Sequence, residues 1–226
     1  MEKEIKDPFQ FLSEGAIQMG IPLNPRQITD FAIYLNELEL WGKKINLFRR
    51  KNQKEIIIKD FLDSLSIAKY PEKSSSIMDY GSGAGFPGIP LKIVREDLNI
   101  VLWEATKKKV YFLRNAIRKL KLQNIEAYWT QDPILKRKNL SSFFDLVVSR
   151  AVGSILHIAQ GTFSYLKNGG ILLAMKGKMG AEEVQTHRMQ IEDLGFEVAF
   201  IERSHIPFLG QERLIIGLKK CKINED

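Results

Sequence analysis

The segment IMDYGSGAGFPGIP, residues 77–90, decides the fold of this chain. It holds four glycines and two prolines between an apolar run and a helical pattern. Gly81, Gly83 and Gly85 let a backbone turn tightly and approach a ligand closely, because glycine has no Cβ atom. The prolines suit a first helical turn, where an amide proton has no partner within the helix. The segment therefore predicts a strand, a ligand-binding turn and the start of a helix.

Strand and helix patterns alternate along the chain after this turn. The predicted strands are SIMDYG, NIVLWEA, NIEAYWT, FDLVVSRA, GGILLAMKG, FEVAFIER and RLIIGLKK. We predict helices at GIPLKIVRE, at residues 107–121, at SILHIAQGTFSYL and around 181–194. The last two strands are separated by too few residues for a parallel crossover, so they must be antiparallel. The pattern predicts an α/β fold with a seven-stranded, mostly parallel sheet and an antiparallel C-terminal pair. In such a sheet ligands bind at the carboxyl ends of the strands.

The N-terminal third carries helical patterns instead. Asn24 is a predicted cap, Pro25 takes the first helical position and Gln27 the capping-box position. A further helix is predicted at KEIIIKDFLDSLSIAKY, and PEKSSS is the best linker. We therefore expect an N-terminal helical extension, residues 1–73, packed on an α/β domain of residues 74–226.

Composition excludes several classes of protein. The chain is 44% hydrophobic and 27% charged, as is usual for globular proteins. We find no apolar run long enough for a membrane helix and no secretion signal. Cys221 is the single cysteine, and the three histidines lie far apart, so neither a disulfide framework nor a metal site is expected. We expect a cytoplasmic protein with no membrane partner.

The glycine turn fits two ligands. Gly83 to Gly88 matches G-x-G-x-x-G, the dinucleotide fingerprint of nicotinamide-dependent oxidoreductases. Asp79 to Gly85 matches D-x-G-x-G-x-G, the signature of methyltransferases that use S-adenosylmethionine. The carboxylate of Asp79 would attract the sulfonium and ammonium of S-adenosylmethionine but repel a pyrophosphate, so it favours the methyltransferase. A glycine turn without a ligand is the third alternative. Glu104 ends the second predicted strand, where an acid bonds ribose hydroxyls in either nucleotide ligand.

With these motifs in place, the chain resembles the RsmG family, also called glucose-inhibited division protein B. The resemblance runs from about residue 34 to 219. It is carried by DYGSGAGFPGIPLKI (79–93), KKVYFL (108–113), SRAV (149–152), KG (176–177), INL (45–47) and LDSL (62–65). The chain departs from the family at Glu104, where an aspartate is usual, at Asp60, where a histidine is usual, and at Gly42 and Gln131-Asp132.

The resemblance implies a Rossmann-like class I S-adenosylmethionine-dependent methyltransferase. Such enzymes methylate N7 of a guanine in 16S ribosomal RNA, by resemblance the guanine at position 527. Gly81 and Phe86 would line the cofactor pocket, and Gln131 and Asp132 would contact the adenine. Arg150, the candidate catalytic residue, would face the cofactor and the target base.

Basic residues suggest where RNA would bind. The net charge is +7. Three clusters suit an RNA phosphate backbone. They are Lys43, Lys44, Arg49, Arg50, Lys51 and Lys54; the helical face of Lys107, Arg114, Arg118 and Lys121; and Lys136, Arg137 and Lys138. Phe86 and Trp129 are candidates for stacking on a splayed base, with a place in the hydrophobic core as the alternative for both.

We expect a monomer that acts on 16S ribosomal RNA or on a precursor of the small ribosomal subunit. The alternatives are a methyltransferase of another RNA or of a small molecule, a nicotinamide-dependent oxidoreductase, and a regulatory nucleotide-binding module.

Overall fold

The computed structural model of the chain describes residues 7–47, 50, 52–131 and 140–221. Within these residues seven strands form one sheet. The strands are β1 Ser76–Tyr80, β2 Asn99–Glu104, β3 Ile125–Trp129, β4 Phe144–Arg150, β5 Leu166–Lys176, β6 Phe196–Ser204 and β7 Arg213–Lys220. Each predicted strand is therefore confirmed, although β5 begins earlier than the glycines that were predicted to open it.

The sheet is mostly parallel, with the order β3-β2-β1-β4-β5-β7-β6. β1 runs parallel to both β2 and β4, so the direction of winding reverses beside β1. Strand β7 runs antiparallel to β5 and to β6, which confirms the antiparallel C-terminal pair. A crevice forms at the carboxyl ends of strands where the winding reverses, and this places the glycine turn after β1 at the expected ligand site.

The helices of the described residues include the predicted ones, with two corrections. They are α1 Pro8–Gln18, α2 Pro25–Gly42, α3 Gln53–Ile56, α4 Asp63–Leu65, α5 Gly88–Val94, α6 Lys107–Lys119, α7 Ile155–Thr162, α8 Gly180–Thr186 and α9 Arg188–Asp193. A π-helical turn, Ile57–Leu62, joins α3 to α4, where one regular helix was predicted. The helix predicted around 181–194 is two helices, because His187 adopts a non-helical backbone conformation between them.

The predicted start of α2 is confirmed in detail. Asn24 Oδ1 accepts a hydrogen bond from the Gln27 amide at 2.9 Å, and Gln27 Oε1 accepts one from the Asn24 amide at 3.0 Å. This reciprocal capping box satisfies two amides that a helix start otherwise leaves without partners.

In the described part of the chain, no helix has the length and apolar character that a membrane span needs.

Two buried clusters cover the two faces of the sheet. One joins Leu12, Phe31 and Phe61 of the N-terminal helices to Ile77 and Leu102 of the sheet. The other lies on the opposite face and includes Phe144, Ile158 and Phe196. The first cluster crosses the expected boundary at residue 73, so the N-terminal helices pack directly on the sheet. The division into two domains stays a prediction.

Candidate functional site

The glycine turn is fixed between the ends of β1 and β2. The amides of Gly81 and Ser82 donate to the carbonyl of Trp103 at 2.8 and 3.1 Å. Gly81, Gly83 and Gly85 have φ angles of +79°, +58° and +95°. Side chains disfavour this left-handed region, so the conformation of the turn requires glycine.

The three glycines differ in what surrounds them. A Cβ atom at Gly81 would lie 2.3 Å from Val152 Cγ2, and one at Gly85 would lie 2.6 Å from Tyr34 Oη. At Gly83 the nearest atom among the described residues is the Gly81 carbonyl oxygen, 3.8 Å away. Gly81 and Gly85 therefore allow close packing within the protein, whereas Gly83 borders open space that a ligand can enter.

Asp79 is completely buried below the turn. Its Oδ2 accepts a hydrogen bond from the Gly88 amide at 2.9 Å, which ties β1 to the first turn of α5. Its Oδ1 is buried and has no hydrogen-bond partner among the described residues. Burial raises the pKa of Asp79 from its usual 3.8 to about 7, against the opposing effect of the Gly88 amide. One oxygen thus has a structural task, and the other is left for a donor or a cation.

Glu104 joins the glycine turn to the next helix. It is buried at the end of β2, its Oε2 accepts from the Gly83 amide at 2.8 Å, and its Oε1 accepts from the Thr106 amide at 2.7 Å. Both predicted acids therefore lie at the turn. Glu104 lies directly against Gly83, which borders open space whereas Gly81 and Gly85 do not.

Arg150 ends β4 and lies against the π-helical turn. Its Nη2 donates to Asp60 Oδ1 at 2.7 Å, and its Nη1 donates to Asp63 Oδ2 at 3.1 Å and to the Lys59 carbonyl at 2.8 Å. The Cζ atom lies 4.8 Å from the ring centroid of Phe86. The guanidinium is thus held by two carboxylates, a carbonyl and an aromatic ring, and its side chain is 14% exposed.

Two further arginines hold the same carboxylates. Arg50 Nε and Nη2 donate to the two oxygens of Asp60, both at 2.7 Å. Arg213 Nε lies 3.3 Å from Asp63 Oδ1, within ion-pair distance but without the alignment of a hydrogen bond. Burial alone would lower the pKa of Arg150, but the neighbouring carboxylates raise it. Burial raises the pKa of Asp63, although Arg150 and Arg213 oppose this.

Asp60 and Asp63 were not predicted from the sequence as site residues. The available signal was their spacing, since residues three apart share one face of a helix. Two acids at that spacing indicate a shared cationic partner, but the partner lies on a strand far along the chain. Only the tertiary structure identifies it.

Of the two alternatives for Phe86, a stacking residue or a core residue, the structure supports the core. Its side chain is buried, with ring centroids 5.7 Å from Tyr34 and 6.1 Å from Phe61. Trp129 is half-buried; its Nε1 donates to the Ala105 carbonyl at 2.9 Å, and Lys107 Nζ lies 5.4 Å from its ring centroid. Trp129 therefore remains the candidate for stacking on a base.

The expected adenine site is described only in part. Gln131 is exposed just after β3, and Asp132 lies outside the described residues. Arg49, Lys51 and the whole of the third basic cluster, residues 136–138, also lie outside the described residues.

Part of the predicted basic clusters lies on two adjoining segments, residues 43–46 after α2 and residues 106–109 at the start of α6. Arg50 and Lys54 of the first cluster lie elsewhere, since Arg50 is bound to Asp60 and Lys54 Nζ lies 4.4 Å from the ring centroid of Phe11. The rings of Trp41 and Phe112 meet edge to face at 5.8 Å, which joins the end of α2 to α6. A cavity of about 310 Å³ lies between the two segments. It is lined by Lys44, Ile45, Asn46, Thr106, Lys108 and Lys109. On the predicted basic face of α6, Arg114 instead donates to the Ala127 carbonyl at 3.0 Å, so part of that face packs on β3.

Comparison with known sequences gives a consistent match. Residues 27–215 match the GidB family, described as rRNA small subunit methyltransferase G. The chain is 38% identical to Ribosomal RNA small subunit methyltransferase G of Geotalea uraniireducens, over 93% of this chain and 96% of that protein. It is 35% identical to the protein of the same name from Acetivibrio thermocellus, over 98% and 91%.

Solved structures share the fold. A methyltransferase from Pyrococcus furiosus matches with a TM-score of 0.59 and 13% identity, over 84% of this chain and 98% of that chain. M. jannaschii TYW2, solved in complex with AdoMet, matches with a TM-score of 0.58 and 16% identity, over 72% and 76%. At these identities the likeness concerns the fold alone, and it confirms the Rossmann-like architecture.

Proposed function

The chain belongs to the GidB family of rRNA small subunit methyltransferases, and from this membership we propose that it methylates N7 of a guanine in 16S ribosomal RNA. The methyl donor is S-adenosylmethionine, and the target is the guanine at position 527 that the resemblance implies. The observation that carries the proposal is the glycine turn at the carboxyl edge of the sheet, with a buried acid on either side. Membership of this family sets aside the oxidoreductase alternative.

The residues at the turn fit S-adenosylmethionine. This cofactor supplies an electrophilic methyl group on a sulfonium. Gly83 borders open space, so the backbone there can approach a ligand. Glu104 lies beside it as the candidate acceptor for ribose hydroxyls. The unpaired Oδ1 of Asp79 suits a cationic ligand, because a buried carboxylate without a counter-charge is costly. Gln131 and Asp132 complete the site at the adenine.

Methyl transfer to N7 needs no general base, since N7 already carries a lone pair. The task of the protein is to hold N7 in line with the methyl group, and orientation of this kind is worth up to ~7–11 kcal/mol. Arg150 has hydrogen-bond donors only and stays charged, so it orients the guanine or a neighbouring phosphate rather than accepting a proton. Its two carboxylate partners also offset its charge, and this reduces repulsion of the cationic methylated base.

The RNA would bind across the lysines of the two segments that enclose the small cavity. Lys43 and Lys44 follow α2, and Lys107, Lys108 and Lys109 begin α6. Within the described ranges, none of these five lysines has a carboxylate within ion-pair distance. Unpaired lysines suit a phosphate backbone, whose neutralisation dominates nucleic-acid affinity. We place the reaction in the cytoplasm, on 16S ribosomal RNA or a precursor of the small subunit, and assign the enzyme as a monomer.

Calorimetry with two ligands tests the cofactor. S-adenosylmethionine should bind one site per chain, and NAD should give no measurable heat at the same concentrations. The electrostatic reason is that the carboxylate of Asp79 disfavours a pyrophosphate at the turn. Tight binding of NAD, or no binding of S-adenosylmethionine, would overturn the assignment.

A further inference from the structure

We propose that Asp60, on the π-helical turn, and Asp63, the first residue of α4, are positioning residues for methyl transfer that set the orientation of the Arg150 guanidinium. The proposal rests on the function proposed above and assigns a task to the N-terminal helices in that reaction. Neither aspartate is expected to touch the cofactor or the RNA.

The geometry gives the guanidinium little freedom. It donates three hydrogen bonds to residues 59–63, and two of them end on carboxylates. The ring of Phe86 covers one face of its plane. A planar guanidinium with donors fixed in a fork has its orientation determined by such contacts, whereas a lysine ammonium does not. The orientation of the Arg150 guanidinium at the site is therefore fixed.

The aspartates are themselves held in place. Arg50 binds both oxygens of Asp60, and Arg213 lies at ion-pair distance from Asp63. These outer arginines come from the segment after α2 and from the start of β7, on either side of the turn. The π-helical turn adds the Lys59 carbonyl, and π-helical turns occur frequently at functional sites.

Stability alone is a weak reason for such a cluster. The side chains of Asp60 and Asp63 are 2% and 4% exposed, so both carboxylates lose nearly all of their hydration. The attraction within a buried ion pair often only offsets this loss, and apolar residues of similar volume can be equally stable. Apolar residues could not replace its other effect, because the cluster holds the charged guanidinium of Arg150 in a fixed orientation beside the carboxyl end of β4.

Single-turnover methylation with saturating RNA and S-adenosylmethionine tests the proposal. Asp60→Asn should slow transfer by about 10- to 100-fold, the usual effect of a misplaced reacting geometry. The dissociation constants for RNA and cofactor should change little, because Asp60 binds neither. Glu192→Gln is the matched control: it removes one carboxylate from an exposed ion pair with Arg188 on α9, and transfer should keep the wild-type rate.

A double-mutant cycle separates positioning from folding. In an Arg150→Lys background the fork is already lost, so Asp60→Asn should lower the transfer rate by only about two- to threefold further. If Asp60 affected transfer independently of Arg150, the two losses would multiply, and that result would overturn the proposal. Wild-type transfer by Asp60→Asn would overturn it as well.

The experiment remains decisive if Asp60→Asn does not fold. The paired variant Asp60→Asn with Arg50→Gln removes one charge of each sign, so the net charge of the cluster is unchanged. This variant should fold and still transfer slowly, and a wild-type rate would contradict the proposal. Failure of the proposed function is a separate result, because the wild-type enzyme would then transfer no methyl group to ribosomal RNA.

Discussion

Asp79 and Glu104 illustrate how similar carboxylates acquire different tasks from their surroundings. Both oxygens of Glu104 accept backbone amides, so its charge is compensated within the turn. Only one oxygen of Asp79 is used in this way, and the other is buried without a described partner. Asp79 is therefore the residue whose charge depends on the ligand.

Asp79→Asn should weaken binding of S-adenosylmethionine by about tenfold or more, since it removes a buried anion near the cationic groups of the ligand. Calorimetry measures the effect, and NAD should remain a poor ligand of the variant. Unchanged affinity for S-adenosylmethionine would show that the carboxylate does not act on the cofactor.

The same residue makes stability depend on pH. The pKa of Asp79 is about 7 in the folded chain, against a usual value of 3.8, so the folded state keeps the proton through a range in which the unfolded state has lost it. The contribution of Asp79 to stability is therefore present at low pH and is lost as pH rises toward 7. Asp79→Asn, in the absence of cofactor, should be more stable relative to wild type at pH 8 than at pH 5, by roughly 1–4 kcal/mol. Urea unfolding at both pH values measures this, and an equal difference at the two would contradict the raised pKa.

Arg150 can be tested by substitutions that separate its charge from its shape. Arg150→Lys keeps the charge but loses the fork, so it should lower methyl transfer by more than it lowers RNA affinity. Arg150→Ala should impair both. Single-turnover assays and RNA titrations measure the two effects. A wild-type rate for Arg150→Lys would show that only the charge of Arg150 matters, not its forked shape.

At the scale of elements, the strands and the glycine turn could be predicted because their signals are local. Apolar runs of strand length, punctuated by glycine and proline, identify all seven strands and the switch from β1 to α5. The π-helical turn and the break at His187 could not, since hydrogen-bond patterns within a helix leave no mark on its apolar period. The ion cluster could not either, because Arg150 meets Asp60 across 90 residues of sequence.

The open space beside Gly83 in the glycine turn can be tested by substitution. Gly83→Val should abolish cofactor binding with the fold retained, because the new side chain would occupy the space open to the ligand. Gly20→Val is the matched control. Gly20 also has a positive φ angle, +73°, and open space around it, so it carries the same backbone strain without a ligand nearby. Circular dichroism and calorimetry compare the two, and full cofactor affinity in Gly83→Val would show that the turn is structural only.

In the whole molecule, lysines from two distant parts of the sequence lie together, since Lys44, Lys108 and Lys109 line one cavity. The lysines after α2 and at the start of α6 meet where Trp41 packs on Phe112. Composition gave the sign of the charge, whereas the contact between the two helices shows which lysines lie together. Three lysines at the start of a helix oppose its dipole, and an anionic partner would compensate for this.

Changing Lys107, Lys108 and Lys109 together to Ala should weaken RNA binding and reduce its salt slope by up to about 2, since each lost contact with single-stranded RNA contributes about 0.7. The control changes Lys69, Lys167 and Lys219 to Ala, which removes the same charge from exposed ion pairs elsewhere. Cofactor affinity should stay the same in both. Equal slopes for the two triple variants would show that only net charge matters.

The most direct measurement is transfer of a labelled methyl group from S-adenosylmethionine to 16S ribosomal RNA, offered naked and within the small subunit, followed by mapping of the modified base. We expect label on N7 of a single guanine, dependent on Gly83 and slowed by Arg150→Lys. Label on another atom or another RNA, or no label on either substrate, would contradict it.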